Sequence, residues 1–258
     1  DDLAGKIVLG YDFISSLKIA NDGDRRDPDP SDPGDWTEAG ECYRDSPRSP
    51  SSWHGSHTAG TIGAASDNGV GVAGVSWGAK ILPIRALGTC GGYTSDIVDG
   101  ARWAAGLEVP DVPANSNRAQ VLNFSLGGTG SCSRTEQDAY DAITAAGTTV
   151  VVSAGNSSRN AEDFSPASCD NVITVAATQR EGYLAYYSNF GKVVDISAPG
   201  GFTIPARGGV LSTVDSGLTT PAEDSYAFYQ GTSMSAPHVA GVAALLIGEN
   251  PDFSPAQV

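Results

Sequence analysis

Basic side chains, histidine and long apolar runs are all scarce in this 258-residue chain. Lys and Arg number 15 against 30 Asp and Glu, so the formal charge is −15 and repels phosphate backbones. We therefore expect no nucleic-acid partner. No run of 18 apolar residues occurs, which predicts no membrane-spanning helix and no membrane partner. The remaining composition, rich in Gly and 40% hydrophobic, is typical of one compact globular domain.

Cysteine is also sparse, and its spacing is informative. The four cysteines include no Cys-x-x-Cys pair, which argues against a zinc site. Four well-separated cysteines in an acidic, Lys-poor chain indicate two disulfides formed in an oxidising compartment. Three pairings are possible, and the simplest is the sequential one, Cys42–Cys90 and Cys132–Cys169. We expect a secreted, extracellular protein whose signal peptide lies upstream, because the N-terminus has no signal-peptide pattern.

Short apolar runs alternate with helical patterns along the chain. Several runs are apolar on both faces, as in a parallel sheet covered by helices, and they predict strands at Lys6–Gly10, Lys80–Arg85, Ala119–Phe124, Thr148–Ser153, Val172–Ala176 and Val193–Ala198. Helical spacing and end signals predict helices at Tyr93–Ala105, Ser133–Ala146 and Thr232–Gly248. Asn21–Pro50, rich in Asp, Pro, Gly and Ser, predicts a long loop. The alternation favours a single doubly wound α/β domain over residues 1–258.

Histidine offers few candidates for a general base, because only three are present. His54 and His57 share a Trp-His-Gly-Ser-His-Thr motif, and His238 lies five residues after Ser233. A metal site on His54 and His57 is disfavoured, because no His-Glu-x-x-His occurs. An α/β-hydrolase needs the order Ser, acid, His and a Gly-x-Ser-x-Gly elbow, and neither is found. A nucleophilic Ser233 with a general base, His54, that precedes it in the chain fits a different class of serine hydrolase. We interpret His57 and His238 as structural residues that help to position their helices.

Four motifs in this order resemble those of the subtilase family of serine peptidases. They are the histidine motif His54–Thr61, the substrate-binding strand Asn123–Gly128, the oxyanion segment Ser153–Ser157 and the serine motif Gly231–Gly241. The chain is most similar to secreted bacterial subtilases with an Asp-rich loop and a Cys-Gly-Gly-Tyr sequence. The resemblance implies the family's α/β fold, a three-layer sandwich with a mainly parallel central sheet and helices on both faces.

The same resemblance implies a serine endopeptidase that hydrolyses peptide bonds in proteins. Ser233 would attack the scissile carbonyl, His54 would act as general base, and Asn156 with the backbone N–H of Ser233 would bind the oxyanion. Substrate binding would fall to Ser125, Leu126, Gly127, Gly128, Ala154, Gly155, Ser165, Pro166 and Ala167. These residues are small or apolar, which predicts apolar or aromatic side chains at P1. Met234 would be the oxidation-sensitive neighbour of the nucleophile.

The orienting Asp of the family is not evident in this sequence. No Asp-Ser-Gly or Asp-Thr-Gly turn precedes His54, and the Asp-Ser-Gly at Asp215 falls where the family has a surface hairpin. Asp195 is interpreted as a strand residue near a loop. Asp2–Lys6 resembles the stretch after the catalytic turn, so we expect a chain truncated at both ends, lacking its N-terminal strand, with the catalytic Asp just upstream. Such a fragment would be nearly inactive, and the alternative hypothesis is a non-catalytic subtilase-like domain that binds peptides or serves a structural role.

The Asp-rich loop predicts a bound cation. Five Asp fall within residues 22–32, and carboxylates at short, turn-rich spacing suit Ca²⁺. The pattern is not an EF-hand, and a solvated acidic loop is the alternative. Because calcium-clamped loops are common in subtilases, we expect a structural Ca²⁺ held by Asp24, Asp27, Asp29 and Asp32. The resemblance also implies protein or peptide substrates, a monomer, and an upstream propeptide that makes the precursor a zymogen.

Overall fold

The structure, a computed structural model, describes residues 2–258 apart from the side chain of Ala206. Its strands are β1 (Tyr11–Asp12), β2 (Ile84–Arg85), β3 (Val121–Phe124), β4 (Gly128–Thr129), β5 (Thr149–Ser153), β6 (Phe164–Ser165), β7 (Ile173–Thr178), β8 (Ile196–Pro199), β9 (Val210–Asp215) and β10 (Asp224–Tyr229). Its α-helices are α1 (Leu17–Ala20), α2 (His54–Gly63), α3 (Thr94–Ala104), α4 (Arg134–Ala145) and α5 (Thr232–Glu249). Within the described residues, no helix has the length and apolarity needed to cross a membrane.

The centre of the fold is a parallel sheet with strand order β3-β5-β7-β8. Every residue of β5 is buried, as expected for a strand that is covered on both faces. Val150 and Val152 point to the face covered by α3 and α4, whereas Val151 points to the opposite face, against Ala236 and Ala240 of α5. Helices on both faces of a parallel sheet make the three layers that the sequence predicted.

Local sequence signals determine the ends of α4. Ser133 caps its N-terminus by accepting a hydrogen bond from the backbone N–H of Glu136, whose side chain accepts in return from the N–H of Ser133. Gly147, just past the end of the helix, has φ +88°, a conformation that glycine adopts without strain. The predicted helix Ser133–Ala146 therefore differs from the observed one by a single residue at each end.

The first predicted strand is shorter than its apolar pattern suggested. Lys6–Gly10 forms only an isolated bridge at Ile7, and regular pairing begins at β1, which runs parallel to β2. Pro83 explains the interruption, because it has no N–H to donate to the neighbouring strand. The strand predicted at Val193–Ala198 also differs from the observed one, because β8 begins three residues later, at Ile196, and ends at Pro199.

The long loop before α2 is tied to the body of the protein at several points. The buried guanidinium of Arg85 pairs with the buried carboxylate of Asp12 and, at 2.6 Å, with Asp22. Arg26 pairs with Asp96 at 2.7 Å. A disulfide joins Cys42 to Cys90, and a second joins Cys132 to Cys169, which is the sequential pairing. The ion pairs and the Cys42–Cys90 disulfide hold an irregular, polar segment against the domain that carries the site, whereas Cys132–Cys169 joins the segments that follow β4 and β6.

The hairpin of β9 and β10 packs directly against α2. A Cβ at Gly60 would lie 2.2 Å from Oγ1 of Thr213, so the helix can approach this closely only because Gly60 has no side chain. Ser212 Oγ donates to the carbonyl of His57 at 2.7 Å, and Thr213 Oγ1 donates to the carbonyl of Ser56 at 2.8 Å. The hairpin therefore fixes the helix that begins with His54.

Candidate active site

Ser233 is the second residue of α5. The N-cap, Gly231, has φ +149°, outside the conformations that other residues adopt readily. The first backbone N–H groups of a helix have no partner within the helix, so the start of α5 favours negative charge. In the structure the Ser233 hydroxyl donates to the carbonyl of Ser125 at 3.3 Å. The partial positive charge at a helix N-terminus suits a nucleophilic hydroxyl, because its attack on a carbonyl generates an oxyanion.

His54 begins α2, and the residues before it determine its position. Trp53 adopts the left-handed conformation at φ +46°, and its indole N–H donates to Gly217 at 2.7 Å. The backbone N–H and the hydroxyl of Ser52 each donate to one carboxylate oxygen of Asp35. The backbone N–H of His54 in turn donates to Ser52 Oγ at 3.3 Å. Burial lowers the pKa of His54, and the charge of Asp35 opposes that shift. A neutral imidazole at neutral pH can accept a proton, as a general base must.

The orientation of the Asn156 side chain follows from its hydrogen bonds. Its Oδ1 accepts from the backbone N–H of Thr232 at 2.8 Å and from the Thr232 hydroxyl at 2.9 Å. The same hydroxyl accepts from the N–H of Gly155 at 3.1 Å, so it must donate to Asn156. The Nδ2 group of Asn156 is therefore the free end of the amide, and it is a hydrogen-bond donor.

One pocket of about 370 Å³ brings the three predicted catalytic residues together. It is lined by His54, Asn156, Thr203, Phe228, Tyr229, Gln230, Ser233 and Met234. The sequence reasoning missed Thr203 and the end of β10. Gln230 could have been found, because it directly precedes the serine motif. Thr203 could not, because only the folded chain brings its N–H and hydroxyl to Gln230 Oε1, at 2.8 Å and 2.7 Å.

Two of the predicted substrate-binding segments pack against each other at β4 and β6, and we refer to this surface as the wall. Gly128 of β4 pairs with Ser165 of β6, and a Cβ at Gly127 would lie 2.8 Å from the Ser165 carbonyl. Leu126 lies beside β5, since its carbonyl accepts from Ser153 Oγ at 3.4 Å. The remaining members of the predicted set, Ala154, Gly155, Pro166 and Ala167, follow β5 and β6 in the chain.

A carboxylate that the sequence reasoning did not place reaches this wall from α4. Glu136 Oε1 accepts from the hydroxyl of Ser165 at 2.6 Å, and its Oε2 accepts from Ser133. Both oxygens of Glu136 are therefore occupied by the protein. Glu136 therefore brings an acidic group to the wall, and hydrogen bonds from Ser165 and Ser133 hold it in place.

The other two histidines make structural contacts. His57 is fully buried, and its Nε2 lies 3.1 Å from the carbonyls of both Val210 and Ala227. Two carbonyl neighbours require Nε2 to carry the proton, so this nitrogen is not available as a metal ligand beside His54. His238 Nδ1 lies 2.8 Å from the carbonyl of Met234, one helical turn back in α5.

Several acidic residues have backbone partners instead of a place in the site. Asp215 Oδ1 accepts from the N–H groups of Gly217 and Ala222, and Asp195 Oδ2 accepts from that of Thr174. Among residues 2–258, the His54 ring has no hydrogen bond to a carboxylate. The position of the orienting Asp therefore stays a prediction.

The four predicted calcium ligands do not converge in the structure. Asp29 and Asp32 accept from backbone N–H groups two residues further on, and so does Asp27. Asp22 and Asp27 lie near Asp24, and desolvation together with these neighbouring carboxylates raises the pKa of Asp24. Over the described range 2–258, no group of three or more His, Cys, Asp or Glu side chains is arranged to hold a metal ion. The predicted calcium site therefore stays a prediction.

The family model described as the Subtilase family matches residues 15–258. The chain is 53% identical over 245 residues to the extracellular protease of Xanthomonas campestris, which covers 95% of this chain and 41% of that protein. It is 50% identical over 250 residues to the extracellular basic protease of Dichelobacter nodosus, covering 95% and 40% of the two chains. The chain thus spans about two fifths of the length of these curated relatives.

Solved structures agree with the family match. A protease from Pseudoalteromonas arctica superposes with a TM-score of 0.97 at 52% identity, covering 99% of this chain and 76% of that one. A cold-adapted subtilisin-like serine proteinase superposes with a TM-score of 0.69 at 30% identity, covering 100% and 73%. The fold is the subtilisin-like α/β fold, and the chain belongs to the subtilase family. The sequence prediction of both fold and family is confirmed.

Proposed function

We propose that the chain is the catalytic domain of a secreted serine endopeptidase. The observation that supports this most is the shared pocket of Ser233, His54 and Asn156 at the N-terminus of α5. Family membership and relatives named as extracellular proteases support it independently. Protein and peptide substrates follow from the same relatives.

The reaction would proceed through a covalent acyl-enzyme. Ser233 Oγ attacks the scissile carbonyl carbon while His54 takes the hydroxyl proton. The resulting oxyanion accepts from Asn156 Nδ2 and from the backbone N–H of Ser233. The C–N bond then breaks, and His54 returns its proton to the leaving amine. Water repeats the sequence on the ester, which releases the acid and restores the Ser233 hydroxyl.

A complete triad needs a carboxylate that holds the His54 imidazole in the right tautomer. We propose, from the resemblance of Asp2–Lys6 to the stretch that follows the catalytic turn in the family, that this Asp lies upstream of Asp2. Its loss costs about 10⁴-fold in kcat in a subtilisin, a value taken over from that relative. The chain without it is expected to retain only weak activity.

The acyl side of the substrate would bind against the wall made by β4, β6 and the residue after β5. The residues of that wall are small or apolar, and a carboxylate that reaches it, Glu136, accepts hydrogen bonds from Ser165 and Ser133. We propose an apolar or aromatic P1 preference. Glu136→Gln is the matched control, because it removes the charge and keeps the length. A Lys or Arg preference at P1 that Glu136→Gln abolishes would contradict the proposal.

Calcium is proposed here on the sequence and the family resemblance alone. Asp24, Asp27, Asp29 and Asp32 are the carboxylates that Ca²⁺ would draw together, and binding would stabilise the folded state by mass action. Calcium should raise the Tm of the wild type, and Asp24→Asn should lower that response. No rise of Tm with calcium would remove the site.

We also propose that the enzyme acts outside the cell as a monomer and is made as a zymogen with a propeptide. The direct test of the function is casein and chromogenic-peptide hydrolysis by the protein expressed from its full reading frame. Activity abolished by Ser233→Ala supports the endopeptidase. A folded wild type that cleaves neither substrate favours a non-catalytic domain.

A further inference from the structure

Pro237 removes a backbone hydrogen bond of α5 next to Ser233. Pro237 lies inside α5, four residues after Ser233. In an α-helix the carbonyl of residue i accepts from the N–H of residue i+4, and proline has no N–H. The carbonyl of Ser233 therefore lacks its regular helical donor, although it lies in the turn that presents the Oγ group.

The hydroxyl of Ser125 takes the place of the missing N–H donor. Ser125 Oγ donates to the Ser233 carbonyl at 2.7 Å, an ordinary O–H···O distance, and this bond joins the segment after β3 to the start of α5. Asn123 Nδ2 donates to Ser125 Oγ at 3.0 Å, which directs the hydroxyl hydrogen towards Ser233. The Ser233 hydroxyl in turn donates to the Ser125 carbonyl at 3.3 Å, so the two serines are bonded in both directions.

We infer that Ser125 is a positioning residue for the nucleophile, acting through its side chain in addition to any backbone contact with substrate. Its hydroxyl replaces the helical hydrogen bond that Pro237 removes and holds the backbone of Ser233 in place. A misplacement of about 1 Å at a reacting centre can cost about 10²-fold in rate, so a single positioning bond has a measurable effect. The inference rests on the proposed function of Ser233.

The geometry suggests a rescue experiment. Ser125→Ala removes the donor and leaves the backbone of the substrate-binding segment intact. Pro237→Ala restores an N–H that can donate to the Ser233 carbonyl. A carbonyl oxygen has two lone pairs, so Pro237→Ala alone adds a donor without displacing Ser125.

The readout is the rate of fluorophosphonate labelling at Ser233 in the full-length protein, with kcat and KM on a chromogenic peptide. We expect Ser125→Ala to slow labelling about tenfold and to lower kcat with little change in KM. Pro237→Ala alone should label at nearly the wild-type rate. Ser125→Ala/Pro237→Ala should recover to within about threefold of wild type, since one donor replaces the other. Tm values measured in parallel separate positioning from loss of fold.

Two outcomes overturn the inference: labelling of Ser125→Ala at the wild-type rate, or a double variant as slow as Ser125→Ala. If Ser125→Ala does not fold, Ser125→Cys is used with the same expectations, because a thiol is a weaker donor. A wild type that does not label at all would instead contradict the proposed function. The two failures are therefore distinguishable.

Discussion

His57 should make the stability of this protein depend on pH. The ring is fully buried, stacks on Tyr229 with 4.4 Å between ring centroids, and donates from Nε2 to two carbonyls. Its Nδ1 is buried and has no partner among the described residues. Protonation would therefore place a charge and an unbonded N–H in the interior. Burial accordingly lowers the pKa of His57 from 6.5 to about 4.

The direction of the effect follows from the depressed pKa of the folded state. The unfolded chain binds the proton at about pH 6.5 and the folded chain only near pH 4. The stabilisation is complete above pH 6.5 and is lost as the pH falls through this window. Between pH 8 and pH 5, that pKa difference corresponds to a loss of about 2 kcal/mol in the free energy of unfolding.

Urea unfolding at several pH values measures this loss, in a Ser233→Ala background that prevents self-digestion. His57→Gln is the comparison, because its amide can still donate to a carbonyl but does not titrate. The protein with His57 should lose about 2 kcal/mol more than the His57→Gln variant between pH 8 and pH 5. Equal losses in the two proteins would refute the argument from burial.

Three further predictions concern the site and the core. Asn156→Ala should lower kcat about 10²–10³-fold and leave KM nearly constant, which is the loss known for the equivalent donor in a subtilisin. An unchanged kcat in peptide kinetics would contradict this prediction. Thr232→Val should lower kcat about tenfold, because the Asn156 amide loses its hydrogen bond from the Thr232 hydroxyl. Thr232→Ser keeps a hydroxyl and should retain most of the activity. Equal kinetics for the two variants would exclude a role for the Thr232 hydroxyl. Arg85→Met should lower the free energy of unfolding by about 3 kcal/mol or more, because Asp12, whose pKa burial raises to about 6, loses its cation. A loss below about 1 kcal/mol in urea titration would contradict that reasoning.

Elements with strong local signals were predictable from the sequence. The apolar run at β5 is a strand because both its faces are covered, and α4 carries its own capping box and terminal glycine. The family motifs also placed Ser233, His54 and Asn156 in one site, and the structure gathers them around one pocket.

Features that depend on tertiary partners were not predictable. Asp96 lies in the first turn of α3, where carboxylates are common, but it is buried and accepts from Ser15 and Arg26. Thr203 lines the pocket, where its backbone N–H and hydroxyl donate to Gln230. These positions are set by contacts between segments that are far apart in the chain, and no local pattern encodes such contacts.

The central claim is that Ser233 is a nucleophile activated by His54. A fluorophosphonate added to the full-length protein, followed by peptide mapping in a mass spectrometer, tests it most directly. We predict a single adduct on Ser233 in the wild type and labelling slower by at least about 10³-fold in His54→Ala. Absence of an adduct on Ser233 in a folded wild type, or equal labelling of the two proteins, would contradict the account.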